Sequence, residues 1–215
     1  MAIDSTRITI VGCGPGSPDY VTEAARRAVR DAQVLVGSRR LLAMFADGPA
    51  ERIVADADVP AVLEHLGAAA SAGHRVAVLV SGDPGLYSLA QQVVRRFGRQ
   101  QCTVIAGISS VQLAFARLGL DWADARVISA HGRTPAVAIE ELAALDKIAV
   151  LAGSRDATGW AARAAEALRA THVAFLCENL TLDGESVRQV EPEQLGHADA
   201  SSLSIVLLIR STCLA

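Results

Sequence analysis

The chain has 215 residues, of which 51% are hydrophobic, 20% charged and only 4% aromatic, with a formal net charge of -3. That is enough for one large domain or two small ones whose interior is filled by alanine, valine and leucine. No basic run or basic-aromatic stripe appears, which argues against a general nucleic-acid binder. The four cysteines, Cys13, Cys102, Cys177 and Cys213, are scattered without a CxxC pair. This argues against a zinc site or a disulfide framework and for reduced thiols in a cytoplasmic protein. The first residues show no charged segment followed by an apolar one, so no signal peptide is expected, and no apolar run is long enough to span a membrane.

Along the chain, the β-branched run Ile8–Val11 predicts a buried strand. Thr22 is the expected cap of a helix reaching Asp31, with Ala24, Ala25, Ala28, Val29 and Ala32 on its apolar face. A strand at Val34–Val36, a short helix at Arg39–Phe45 and a short strand at Arg52–Val54 follow. Pro60 fits the first turn of a helix that Gly73 ends. The run Arg75–Val80 is a strong strand, Ser88–Phe97 a helix stopped by Gly98, Thr103–Ile105 a strand, and Ser109–Leu118 a helix stopped by Gly119. This alternation predicts right-handed crossovers and a parallel sheet.

Beyond a boundary expected near Gly119–Asp124, the rhythm changes. The expected order is a strand at Arg126–Ser129, a helix at Ala136–Leu145, a strand at Ile148–Leu151, a helix at Asp156–Ala170 and a strand at Val173–Leu176. Two more strands, Ser186–Val190 and Leu203–Ile209, follow without a clear helix between Leu182 and the end. Strands in succession predict hairpins and a mixed sheet. The fold class is therefore α/β, with units at 1–120 and 121–215.

Gly12, Gly14 and Gly16 follow the first strand at alternate positions, with Pro15 between them. A tight strand-to-helix turn is one reading. A phosphate-cradling loop requires a following Lys-Ser/Thr pair, which is absent. A dinucleotide site requires G-x-G-x-x-G and an acid at the end of the second strand, where this chain has Val36-Gly37-Ser38. The same missing acid weakens the commonest methyltransferase fold. Ser81-Gly82-Asp83-Pro84-Gly85 and Ala106-Gly107-Ile108-Ser109-Ser110 each follow a strand in the same way. Asp83 and Ser109 are good helix-capping types, yet together the loops would line one rim of the sheet and form a pocket.

The stretches GCGPGSPDYVT, SGDPG, AGISSVQLAFARLG and ENLTLDGE, in that order, resemble the tetrapyrrole methylases over Ile8 to Ile209. VLVGSRRLL and ISAHGR are similar to the branch that methylates C5 of a precorrin or cobalt-precorrin ring, to give the precorrin-7 level in cobalamin biosynthesis. The resemblance implies two αβα domains with the active site in the cleft between them, S-adenosylmethionine as cofactor, a corrinoid tetrapyrrole substrate and a homodimer. It implies cofactor contacts at Pro15, Gly82, Asp83, Leu86, Ser109, Ser110, Ala152 and Leu180. Ala106 replaces the family's usual proline before Gly107, and Ser38 stands where the uroporphyrinogen-methylating branch has an aspartate. The second departure argues against that substrate. Some relatives carry a second domain that methylates C15 and removes a carboxyl group, so the chain is read either as a stand-alone C5 enzyme or as the first domain of such a bifunctional protein, with a C15-methylating, decarboxylating domain or partner in the second case. Another ring position, or a binding module without activity, is the alternative.

The substrate class carries many carboxylates, and an arginine fork binds them bidentately. Arg39, Arg40, Tyr87 and Gly14 are the candidate substrate contacts. His131 and Arg133 are the candidate catalytic pair, one as proton acceptor and the other as carboxylate clamp, with a polar turn as the plain alternative. Gly12–Gly16 is expected to leave backbone room for the macrocycle. His65, His74, His172 and His197 are read as solvent-facing, and no metal site is expected.

Overall fold

Parallel strand pairing organises the first half of the chain and mixed pairing the second. The computed structural model describes residues 8–55, 58–130, 134–197 and 202–214. The chain divides into two compact units, Met1–Ser109 and Ser110–Ala215. The division falls ahead of the expected 120/121 boundary, because the helix after Ser109 packs on the last strand of the second unit.

The first unit contains β1 (Ile8–Gly12), α1 (Glu23–Asp31), β2 (Val34–Gly37), α2 (Arg39–Ala43), β3 (Glu51–Val54), α3 (Val59–Ser71), β4 (Val76–Val80), α4 (Ala90–Phe97) and β5 (Cys102–Ile105). Capping residues set the helix starts. Thr22 Oγ1 accepts from the Ala25 amide at 3.1 Å, Ser38 Oγ from Leu41 at 3.4 Å and Asp58 Oδ1 from Ala61 at 3.1 Å. Helix α4 starts two residues later than expected because Ser88 is used in the preceding turn. Its Oγ donates to the Pro84 carbonyl at 2.7 Å and accepts from the Ala90 amide.

The strands form one parallel sheet in the order β3-β2-β4-β1-β5. Alternate residues of each strand point to opposite faces. Ile8, Ile10, Val34, Val36, Val76, Val78 and Val80 pack against Val62, Leu66, Ala90 and Val93 of α3 and α4. Val11, Leu35, Ala77 and Leu79 pack against Ala25, Val29, Leu41 and Leu42 of α1 and α2. The neighbouring strands β1 and β4 thus send their following helices to opposite faces. Such a divergence opens a crevice at the strands' carboxyl ends, where ligands of open α/β sheets bind.

The second unit contains α5 (Ser110–Arg117), β6 (Arg126–Ser129), β7 (Lys147–Leu151), α6 (Arg155–Ala167), β8 (His172–Glu178), β9 (Ser186–Val190), α7 (Pro192–His197) and β10 (Ser204–Arg210). Its sheet runs β6-β7-β10-β8-β9, with β6 and β7 parallel and the other pairs antiparallel. The mixed sheet expected from the succession of strands is present.

Three features differ from the sequence expectation. The segment expected as a helix over Ala136–Leu145 is a 3-10 helix at Ile139–Ala144 with Leu142 as its buried residue. One buried side chain supplies little packing to extend a turn into an α-helix. Helix α7 lies where no helix was expected. Six residues are too few for an apolar period, but a reciprocal cap marks them: the Glu191 amide donates to Gln194 Oε1 at 2.8 Å and the Gln194 amide to the Glu191 carbonyl at 3.0 Å.

His172 is buried, not solvent-facing. Its Nε2 lies 2.8 Å from the Leu145 carbonyl and its Nδ1 2.8 Å from Thr171 Oγ1, so the ring bridges the 3-10 segment to the start of β8. His65 and His197 are exposed and His74 is half-buried. Among the described residues no helix is long and apolar enough to cross a membrane.

Candidate functional site

The loops that follow β1, β4 and β5 are tied to one another by main-chain groups. The Cys13 amide donates to the Val80 carbonyl at 2.9 Å. Gly14 and Gly82 exchange two bonds, Gly82 N to Gly14 O at 2.8 Å and Gly14 N to Gly82 O at 3.3 Å. Both glycines need the left-handed region, with φ of 74° and 65°. The β5 loop is wedged against the other two. A Cβ on Gly107 would lie 2.3 Å from the Gly82 carbonyl oxygen, and one on Gly12 would lie 2.6 Å from the Gly107 nitrogen.

The glycines of the first loop therefore serve the protein's own packing. Gly12 gives its space to Gly107 and Pro84, and a Cβ on Gly14 would meet the Tyr20 carbonyl oxygen at 2.7 Å. The expectation that these positions leave room for a ligand is corrected to that extent. Pro15 is buried beside them.

Asp83 is the side chain that completes the tie. Its Oδ1 accepts from the Gly85 amide at 2.8 Å and its Oδ2 from the Gly107 amide at 3.1 Å. It caps a turn and crosses to the β5 loop; it does not cap a helix. The Leu86 amide donates to the Asp83 carbonyl at 3.1 Å, which closes the turn carrying Leu86 and Tyr87. Tyr87 is 47% exposed and has a positive φ of 47°, an unusual conformation for a bulky residue.

Arg40 and Arg39, paired in the sequence, part in the structure. Arg39 is exposed, whereas Arg40 is half-buried and its Nη2 donates to Ser81 Oγ at 2.7 Å. Burial pulls the Arg40 guanidinium below its ordinary value, and the nearby Cys13 opposes that. Burial pushes the Cys13 thiol up to about 12, against the lowering effects of a backbone hydrogen bond and of Arg40, so at neutral pH it stays a protonated, unreactive core group.

Ser109, at the end of the first unit, is buried. In the second unit Ser110 opens α5. Ala152 follows β7, is fully buried, and donates its amide to the Ser204 carbonyl at 2.9 Å. Leu180 is 3% exposed and sits between two non-glycine residues in the left-handed region, Asn179 with φ of 50° and Thr181 with φ of 68°. His131 and Arg133 lie outside the described residues.

Glu185 holds that strained turn, and sequence reasoning gave it no role. Its Oε2 accepts from the Thr181 amide at 2.7 Å and from Arg117 Nη2 at 3.3 Å. Hydrogen bonding to Arg117 is the main cause that holds its carboxyl below the ordinary value. The signal was present, since Glu185 closes ENLTLDGE, but its partner is 68 residues away. Glu178, in the same stretch, instead faces Arg188 across the β8–β9 pair at 3.5 Å.

The arrangement is a rigid rim of main chain with its carbonyls held in place, and the half-buried Arg40 cation lies beside it. Among the described residues no group of three histidine, cysteine or acidic side chains could hold a metal ion.

The model of the Tetrapyrrole (Corrin/Porphyrin) Methylases matches residues 7–196. The chain is 34% identical over 202 residues to the cobalt-precorrin-7 C(5)-methyltransferase of Salmonella typhimurium, covering 94% of this chain and 98% of that one. Among solved structures, the precorrin-6Y methylase of Archaeoglobus fulgidus superimposes with a TM-score of 0.73 at 26% identity, covering 95% of this chain and 98% of the other. A cobalt precorrin-4 methyltransferase gives a TM-score of 0.82 at 18% identity over 100% of this chain and 98% of that one, which speaks to the fold alone.

Proposed function

The chain belongs to the tetrapyrrole (corrin/porphyrin) methylases, and on that premise we propose that it is a methyltransferase of cobalamin biosynthesis that transfers a methyl group from S-adenosylmethionine to C5 of a precorrin or cobalt-precorrin macrocycle. The observation that carries this reading is the 34% identity to a C(5)-methyltransferase over nearly the full length of both chains.

The loops described above suit that chemistry. S-adenosylmethionine, when bound, supplies a methyl already activated on a sulfonium. The protein must hold an electron-rich ring carbon in line with it, keep water out and let a proton leave. A rim tied by main-chain bonds offers fixed amides and carbonyls without demanding a strong base or a metal. Within the proposal, Pro15, Gly82, Asp83, Leu86, Ser109 and Ser110 contact the cofactor. Asp83 does so by shaping its loop, since both its oxygens already accept backbone amides. The same reading assigns Ala152 and Leu180 to the cofactor, and Gly14, Arg39, Arg40 and Tyr87 to the macrocycle and its carboxylates. His131 takes the role of proton acceptor and Arg133 that of carboxylate clamp. A cytoplasmic homodimer, and a partner or fused domain acting at C15, complete the proposal.

The test is to incubate the protein with isotopically labelled S-adenosylmethionine and precorrin or cobalt-precorrin intermediates, and to read the products by mass spectrometry with a carbon-resolved NMR assignment. The expected result is one methyl gained, at C5. A methyl at another ring carbon would overturn the regiochemistry, and no methyl on any intermediate would overturn the enzymatic reading.

A further inference from the structure

Strands β6, β7 and β8 point the same way, since β6 pairs parallel with β7, and β7 and β8 both pair antiparallel with β10. The loops after them therefore leave one end of the second sheet, and the carboxyl ends of parallel strands are where α/β sheets take ligands. Ala152 after β7 and Glu178 at the end of β8 flank the same residue. The Ala152 amide donates to the Ser204 carbonyl at 2.9 Å, and Ser204 is the register partner of Glu178. Two strand spacings, about 10 Å, separate them. The Ala152 loop and the turn 179–181 are thus neighbours within the second unit.

That turn is held under strain. Asparagine tolerates the φ of 50° at Asn179, but Thr181 is β-branched and its φ of 68° is a genuine outlier. Such outliers persist where surrounding groups over-determine them, and they gather at ligand clamps. Here the group is Glu185. Its Oε2 accepts from the Thr181 amide at 2.7 Å, and Arg117 donates to both of its oxygens, from Nε and from Nη2. The Leu182 amide donates to the Asn179 carbonyl at 2.8 Å and the Glu185 amide to the Leu182 carbonyl at 3.0 Å, which brings the chain back so that Glu185 faces the turn. Arg117 comes from outside this segment. It is the last residue of α5, which packs on β10, so it anchors the carboxylate to the body of the unit. Ser110 opens the same helix, about 10 Å away along its axis.

We propose that Arg117 and Glu185 are positioning residues for S-adenosylmethionine, holding the turn 179–181 in the left-handed form that sets Leu180 against the cofactor. This inference rests on the reading above, which assigns Leu180, Ala152 and Ser110 to the cofactor. The pair acts through the turn and not by contact with the ligand. Its loss lets Thr181 relax and moves Leu180, so cofactor affinity falls. The macrocycle contacts assigned to Gly14, Arg39, Arg40 and Tyr87 of the first unit stay in place.

The experiment uses the intact chain, well below the Tm of every variant. S-adenosylhomocysteine binding is read by calorimetry, and kcat and the two KM values are read from methyl transfer. Glu185→Ala is expected to raise the Kd of S-adenosylhomocysteine and the KM of S-adenosylmethionine by about tenfold. Glu185→Gln keeps an acceptor for the Thr181 amide and is expected to raise them about threefold, as is Arg117→Ala, which keeps the carboxylate but not its anchor. In the Glu185→Ala background Arg117→Ala adds little, because the two act as one unit. The macrocycle KM, and kcat at saturating S-adenosylmethionine, change less than about twofold throughout. The decisive variant adds Thr181→Gly to Glu185→Ala. Glycine takes a φ of 68° without the cost that threonine bears, so about threefold of the lost affinity is expected to return, although glycine loosens the chain.

Parallel losses in both KM values, or no recovery on adding Thr181→Gly, would mean a merely structural ion pair and overturn the proposal. An unchanged Kd in a folded Glu185→Ala that still methylates its macrocycle would overturn the positioning role and leave the enzymatic reading standing. A wild type that neither binds S-adenosylhomocysteine nor methylates any macrocycle would overturn both. If Glu185→Ala fails to fold, Glu185→Gln with and without Thr181→Gly decides by the same criteria.

Discussion

The two units hold the loops that follow their strands by opposite means. In the first, main chain meets main chain: Gly14 and Gly82 bond to each other, and Gly107 lies against both Gly12 and Gly82 at distances that exclude a Cβ. In the second, side chains hold the turn after β8: Glu185 and Arg117 clamp Asn179, Leu180 and Thr181 in a conformation that non-glycine residues resist. The first device tolerates no added atom but carries little strain. The second keeps its side chains and stores strain of the kind found at ligand clamps. Rigidity in the first unit is thus steric, whereas in the second it depends on an ion pair that pH and salt can reach.

The largest expected effect tests the steric half of that contrast. Gly107→Ala places a Cβ 2.3 Å from the Gly82 carbonyl oxygen, with backbone on both sides. It is expected to destabilise the protein by about 3 kcal/mol in urea denaturation and to abolish methyl transfer. Gly159→Ala, inside α6 where the nearest atom is Arg163 Nη1 at 3.9 Å, is expected to raise the Tm instead, by gaining up to about 1 kcal/mol of helix propensity. Equal effects of the two would show that Gly107 is not sterically constrained.

Asp83→Ala comes next. It removes both acceptors for the Gly85 and Gly107 amides and is expected to cost about 2 kcal/mol. The Kd for S-adenosylhomocysteine should rise about tenfold in calorimetry, since the loop carrying Gly82 and Leu86 loses its tie. Unchanged affinity would separate that loop from the cofactor.

Glu185 tests the side-chain half. Glu185→Ala is expected to lose about 1 kcal/mol and Glu185→Gln less, because the amide oxygen still accepts from Thr181. The pH dependence has a fixed sign. The folded-state pKa of Glu185 lies below its ordinary value of 4.5, so the unfolded chain binds the proton first on acidification. Its contribution is present above the unfolded value and is lost as the pH falls through the folded one. The wild-type advantage over Glu185→Gln should therefore shrink in acid; an advantage that grew as the pH fell would contradict the ion-pair account. The smallest effect is expected from Asn179→Gly: asparagine already tolerates a φ of 50°, so the Tm should move by an amount equivalent to no more than about 0.5 kcal/mol.

Much of the fold was legible because it is local. Thr22 capping α1, Pro60 in the first turn of α3, Gly98 with φ of 85° after α4 and Gly119 with φ of 68° after α5 all act within a turn of their own helix. The runs that became β1 and β4 carry apolar side chains for both faces, as a parallel sheet covered on both sides requires. The misreadings were also local in origin. The 3-10 segment at Ile139–Ala144 and helix α7 are too short for periodicity to speak, and a histidine beside a strand gives no sign of whether a carbonyl 27 residues away will accept from its ring.

The site divides along the same line. Its glycine loops and the order of its motifs were written in the chain, so the family and the rim of the sheet could be read directly. The contacts that give individual residues their work could not. Asp83 meets Gly107 across 24 residues, Arg40 meets Ser81 across 41 and Glu185 meets Arg117 across 68. Arg39 and Arg40 look alike in sequence, and only the packing of α2 leaves one in solvent and buries the other beside β4. Caps and periodicity follow from forces that act within about four residues, so a linear chain records them. Pairing between loops depends on where the strands bring them, and that is settled only when the sheet has formed.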